Sequence, residues 1–151
     1  MDAKQIVVAG PALIAVAPVG TTLPTDESTA LAAGFTELGY TSDEGVGFTF
    51  EQTIEDIGAQ QTADPVRRIV TARSLSTSYS GMQWNKDTFA LAFGGGEWTE
   101  PTPGTFRYDP PGDEDALAEY SQVITWNDGE RNFRLVIERG NVAEATETTL
   151  A

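Results

Sequence analysis

Between Gly45 and Gly96 the sequence holds two long segments of alternating polarity, a polar connection, and a short amphipathic stretch closed by three glycines. In the first segment Val46, Phe48, Phe50 and Ile54 share one parity, and Thr49, Glu51, Thr53 and Glu55 share the other. Successive side chains of a strand point to opposite faces, so this spacing predicts a half-buried β-strand over Val46–Ile57. From Pro65 to Ser80 the alternation is looser: Ile69, Leu75 and Tyr79 share their parity with Arg67, Thr71, Arg73 and Thr77. A second strand is expected there. The connection Gly58–Asp64 (Gly58, Ala59, Gln60, Gln61, Thr62, Ala63, Asp64) has only its two alanines as apolar anchors. It reads either as a plain hairpin loop or as a projecting loop that reaches another subunit. Asn85 then stands at an N-cap position, Phe89 and Phe93 lie one helical turn apart, and Gly94-Gly95-Gly96 supplies the stop.

Composition narrows the chemistry. With 151 residues, one domain spanning 1–151 is the default. The net charge of -14 has the wrong sign for gripping nucleic-acid phosphates or an anionic membrane. The sequence has no cysteine and no histidine. Disulfides, the usual ligands of zinc and haem, and Ser-His-Asp or Cys-His catalysis are thereby excluded within the chain. Ala12–Val19 is apolar but far short of the ~20 residues of a membrane helix. Met1–Gln5 lacks the positive leader of a signal peptide, so a buried or subunit-crossing strand over Pro11–Val19 is the expectation.

Elsewhere the chain reads as follows. Met1–Gly10 is an arm, Gly20–Thr29 a loop, and Ala30–Ala33 one helical turn. Phe35–Ser42 is a short extended piece, and Asp43-Glu44-Gly45 a turn. Glu97–Gly112 contains Pro101, Pro103, Pro110 and Pro111 and is expected as a Pro-rich loop, with Thr105–Tyr108 its one extended candidate. Gly112–Asp115 lacks the spacing of a calcium loop and reads as a solvated acidic turn. Leu117–Trp126 and Arg131–Arg139 alternate on either side of Asn127-Asp128-Gly129-Glu130, which predicts a hairpin. Val142–Leu150 reads as the start of a further strand.

Candidate sites are few. Glu51, Glu55 and Asp56 form the one dense acidic set, yet two carboxylates on one strand face do not flank a substrate as acid–base hydrolysis requires. Arg67, Arg68 and Arg73 form the one basic cluster. They pair either with Glu51, Glu55 or Asp56 across the hairpin or with carboxylates of a neighbouring subunit. Trp84, Phe89, Phe93 and Trp98 sit around the helix and are expected to pack it on a sheet. Trp126 is expected in the core. No catalytic, metal or cofactor-binding residue is assigned.

Several segments resemble those of phage tail tube proteins (major tail proteins) of long-tailed phages that infect actinobacteria. They are Leu38-Gly39-Tyr40-Thr41-Ser42, Pro65-Val66-Arg67-Arg68-Ile69-Val70-Thr71, Gln83-Trp84-Asn85 and Leu91-Ala92-Phe93-Gly94-Gly95-Gly96, with Ile124-Thr125-Trp126 and Glu138-Arg139-Gly140-Asn141-Val142 following in the same order. The resemblance implies a mainly β fold, an antiparallel sandwich or barrel with one flanking helix and long loops, and a structural role without catalysis or cofactor. It further implies a virion subunit, assembled in the host cytoplasm into stacked hexameric rings. Tape-measure and terminator proteins would be partners, and double-stranded DNA would transit the bore without specific binding. Thr49, Glu51, Thr53 and Glu55 would then line the bore. Gly58–Asp64 and the arm would reach the adjacent ring, and Arg67, Arg68 and Arg73 would bridge subunits. Proteins of this kind often continue past the position of Ala151, which implies a short form or a truncated chain. The residues alone also fit a monomeric β-sandwich decoration module on a virion surface; a carboxylate hydrolase is the least supported option.

Overall fold

The computed structural model describes residues 10–129 and 131–143, without the side chain of Ala63. The secondary structure is mainly antiparallel β, as expected. The strands are β1 (Leu13–Pro18), β2 (Thr36–Glu37), β3 (Thr41–Ala59), β4 (Thr62–Gly81), β5 (Glu97–Thr102), β6 (Thr105–Asp109), β7 (Glu119–Asn127) and β8 (Asn132–Asn141). The one helix among the described residues, α1, is Lys86–Ala92. The described residues group into two compact units, 10–42 with 81–143, and Asp43–Ser80.

The larger unit is built on a four-stranded sheet in the order β2-β1-β7-β8. Its core lies where β1 meets β7. Ile14, Ala15, Val16 and Ala17 are buried in succession, so β1 is covered on both faces. That is why its sequence is an unbroken apolar run rather than an alternation. Val123 and Ile124 of β7 are fully buried beside it, and Leu38 joins them. Ser121 is buried too, and its hydroxyl is satisfied by donating to the Glu138 carbonyl at 2.7 Å.

The β7–β8 hairpin forms as the sequence predicts, from Glu119↔Asn141 to Asn127↔Asn132, with one irregularity between Tyr120 and Gln122. Its turn is closed by Asp128, whose N–H donates to the Arg131 carbonyl at 3.1 Å. Gly129 supplies the positive φ of 92°. Trp126 is half-buried rather than in the core, stacked on Phe133 across the pair at 5.5 Å. Ala30–Ala33 is not a helical turn; the chain bends there with Phe35 N–H donating to the Ala32 carbonyl. The arm through residue 9 and most of the strand expected over 142–150 lie outside the described residues.

The Pro-rich loop expected at Glu97–Gly112 is instead the β5–β6 hairpin, a correction to the composition argument. Prolines forbid a central strand, but a two-stranded ribbon has open edges where a missing N–H costs nothing. Pairing runs Glu97↔Asp109, Trp98↔Tyr108 and Thr99↔Arg107, then slips before Thr102↔Thr105, and Pro101 occupies the slip. Gly104 turns the chain at φ 82°. Helix α1 packs on this hairpin through Phe89, whose ring lies 5.5 Å from Trp98 and 5.0 Å from Tyr108. The Asn85 side chain accepts from Asp87 and Thr88 N–H, and the Thr88 hydroxyl accepts from Asn85 N–H, forming a reciprocal cap.

The smaller unit is the β3–β4 hairpin alone. Both strands run further than the alternation predicts. Asp43-Glu44-Gly45 is part of β3 rather than a turn, although Gly45 keeps a positive φ of 81°. The loop Gly58–Asp64 is also corrected: Gly58 and Ala59 belong to β3, Thr62 to Asp64 belong to β4, and only Gln60 and Gln61 turn. Polar side chains stay solvated on an exposed ribbon while the backbone ladder continues beneath them, so polarity did not mark the strand ends.

Candidate functional site

The β3–β4 hairpin is exposed in a way that a free domain rarely tolerates. Its strands are 19 and 20 residues long, whereas ~3–10 residues is usual and an isolated two-stranded hairpin is marginal in water. None of its described residues is buried. The half-buried strand expected over Val46–Ile57 is therefore corrected, because a two-stranded ribbon has no second layer to cover it. Phe50 and Val66 are each 63% exposed, and Phe48, Ile54, Ile57, Val70 and Leu75 are exposed as well. Ile57 apart, those of β3 share one parity, and so many exposed large apolar side chains on one element mark an interaction surface. Both outer backbone edges of a two-stranded ribbon are also open to strand addition.

Thr49, Glu51, Thr53 and Glu55 are all exposed along the other parity of β3. Glu51 and Glu55 follow one another on the same strand and do not face each other across a cleft, so they lack the geometry of a hydrolytic pair. Arg68 pairs with Asp56, Nε to Oδ1 at 2.9 Å, across the hairpin, one of the two pairings that the sequence leaves open. Both partners are exposed, and such a pair contributes only ~0–1 kcal/mol. Among the described residues, Arg67 and Arg73 make no ion pair within the chain.

Two features escaped the sequence reading. Tyr108 completes the aromatic cluster of Trp84, Phe89, Phe93 and Trp98, and its hydroxyl donates to the Gly95 carbonyl at 2.5 Å. The extended pattern Thr105–Tyr108 was the available signal. Arg134 of β8 donates from Nη1 to the carbonyls of Asp26 and Thr29, at 2.8 and 2.9 Å. It holds the Gly20–Thr29 loop from more than 100 residues away, a distance that no local pattern reveals.

Among the described residues no His, Cys, Asp or Glu group is arranged to hold a metal ion, and no helix is long and apolar enough to cross a membrane. What the geometry offers is a ribbon with one apolar row, one polar row and open edges. A family model described as phage tail tube protein matches residues 1–151, the whole chain. Among curated proteins, none matches the sequence. The mainly antiparallel β structure with a single short helix agrees with a tail tube β-sandwich. The chain thus belongs to the phage tail tube protein family, and is a structural, non-enzymatic component of the virion that assembles with other copies of itself and with other tail proteins.

Proposed function

We propose that this chain is the repeating subunit of a closed tube, in which β3 and β4 of each copy join those of its neighbours into one continuous barrel. The observation that carries the reading is the hairpin itself: long, edge-open, and exposed along its apolar row. A head-to-tail contact that closes produces a ring, and closure removes the open edges. Burying each exposed Phe, Ile or Leu between copies contributes up to ~1.5–3 kcal/mol. A monomeric decoration module would leave that whole row in water, which is why it is the weaker alternative.

In this reading the rings are hexameric and stack, and tape-measure and terminator proteins bound the tube. Assembly proceeds in the host cytoplasm. Thr49, Glu51, Thr53 and Glu55 line the bore; the hydroxyls and carboxylates give DNA phosphates little to hold, so the duplex passes without being trapped. The Gln60–Gln61 turn with its flanks Gly58 and Ala59, Thr62 to Asp64, and the arm at residues 1–10 contact the adjacent ring. Arg67 and Arg73 meet carboxylates of a neighbouring copy. Negative-stain microscopy of concentrated protein tests the central claim. Annuli or tubes are expected, and a solution of small single particles at all concentrations overturns it.

A further inference from the structure

The arm begins at one end of the four-stranded sheet, and a groove of the larger unit lies at the other. Gly10 marks the first end. Its N–H donates to the Asn127 carbonyl at 2.8 Å, and a Cβ there would lie 2.7 Å from that oxygen, so the backbone passes hard against the last residue of β7. The groove, of about 270 Å³, is lined in part by Leu117 and Val142. Leu117 stands just ahead of Glu119, the first residue of β7, and Val142 directly follows Asn141, which pairs with Glu119. A strand rises ~3.3 Å per residue, so the length of β7 separates the two ends by roughly 25 Å.

The groove is apolar and negatively charged. Phe93, Pro111, Leu117 and Val142 supply its apolar walls, and Asp113 and Asp115 its charge. Phe93 is 47% exposed and Leu117 69%. Among the described residues no cation pairs with either aspartate. Such a groove suits an extended segment that carries apolar side chains and a positive charge. Most cations of the chain are engaged elsewhere. Arg68, Arg107, Arg131 and Arg139 are in ion pairs, Arg134 holds loop carbonyls, and Lys86 lies over the Phe106 ring. Arg67 and Arg73 stand within a paired ribbon rather than on a single extended segment. The arm, residues 1–9, has Lys4 just ahead of Ile6-Val7-Val8, the combination that complements the groove. Residues 144–151 carry Glu144 and Glu147 and no Lys or Arg, so they would add like charge to it.

An arm is poorly placed to serve its own groove. Nine extended residues span at most ~30 Å, and doubling back along β7 would consume nearly all of that. An arm from a copy stacked end to end starts beside the groove instead. We infer that residues 1–9 of one copy lie in the Phe93–Leu117–Val142 groove of a copy in the adjacent ring, which links rings head to tail. The inference rests on the closed-tube reading above and names the acceptor of its arm. The chain has no cysteine, so introduced thiols report the contact alone. Protein with Val7→Cys is mixed with protein with Leu117→Cys, assembled, oxidised and run on a denaturing gel without reductant. Mixed dimers should outnumber dimers of either chain with itself by about fivefold or more, because docking raises the effective concentration of that thiol pair alone. Absence of this excess overturns the inference. So does a disulfide closed within single chains that carry both substitutions, or within chains that carry Leu117→Cys and Leu150→Cys, which would put the chain's own terminal segments in the groove. Microscopy of the same samples separates the two readings. Annuli or tubes without the mixed-dimer excess overturn the inference and leave the closed tube standing; the lack of any annuli or tubes overturns both.

Discussion

Asp26 shows how much a single exposed side chain can organise. Its carboxylate accepts from the Thr29 hydroxyl at 2.5 Å, from Thr29 N–H at 2.5 Å and from Ser28 N–H at 2.8 Å. These hydrogen bonds, the Thr29 hydroxyl foremost, hold its pKa well below the ordinary value of 3.8. A depressed folded-state pKa means that the contribution is fully present above the unfolded value and is lost as pH falls through the folded one. The Gly20–Thr29 loop should therefore keep its conformation well below pH 3.8. An NMR titration of the Asp26 carboxyl checks this, and Asp26→Asn should loosen the loop at neutral pH and abolish the acid step. Gly96 is a second such position. Its φ is +96°, and a Cβ there would lie 2.5 Å from Tyr108 Oη and 2.7 Å from the Asp109 carbonyl. Gly96→Ala should lower stability by ~2–4 kcal/mol through strain and a displaced ring. Tyr108→Phe, which removes the hydrogen bond to Gly95 alone, should cost about 1 kcal/mol. Thermal denaturation separates the two.

At the scale of elements, α1 cannot stand by itself. Its seven residues fall far below the ~12–15 at which isolated helices become even marginally populated. The Asn85 cap and the aromatic contacts to β5 and β6 hold it in place. Asn85→Ala should cost ~1 kcal/mol, read as faster amide exchange across Lys86–Ala92 with β7 unaffected. The Trp98 indole N–H donating to the Lys86 carbonyl at 3.2 Å anchors the same corner from the other side. The β3–β4 hairpin is the opposite case: a long element with almost no packing of its own. Phe50→Asp or Val70→Asp should leave the thermal stability of the larger unit unchanged, because neither side chain is buried in the free chain. Each should nonetheless reduce assembly at least tenfold, since a charge would have to be desolvated in the contact between copies. Size-exclusion chromatography with light scattering reads both effects.

For the molecule as a whole, the charge of -14 per chain opposes gathering many copies into one particle. Salt shortens the Debye length to ~10 Å at 0.1 M and leaves apolar burial in force. Assembly followed by light scattering should thus strengthen from low salt to about 0.5 M; weakening over that range would mean that ion pairs through Arg67 and Arg73 dominate the contact instead.

What the sequence determined by itself follows from local periodicity and stereochemistry. The unbroken apolar run of β1, the Asn127–Arg131 turn with its glycine, the Asn85 cap and the alternation of β3 each depend on neighbours within a few residues. So does the absence of thiol and imidazole chemistry, which the bare composition settles. The tertiary structure alone decided the rest. Whether the apolar positions of β3 are covered depends on what packs over them, and Phe50 stays 63% exposed. Glu97–Thr102 became a strand despite Pro101 because its pairing partner tolerates a slip, and Arg134 found the Asp26 loop across the whole chain.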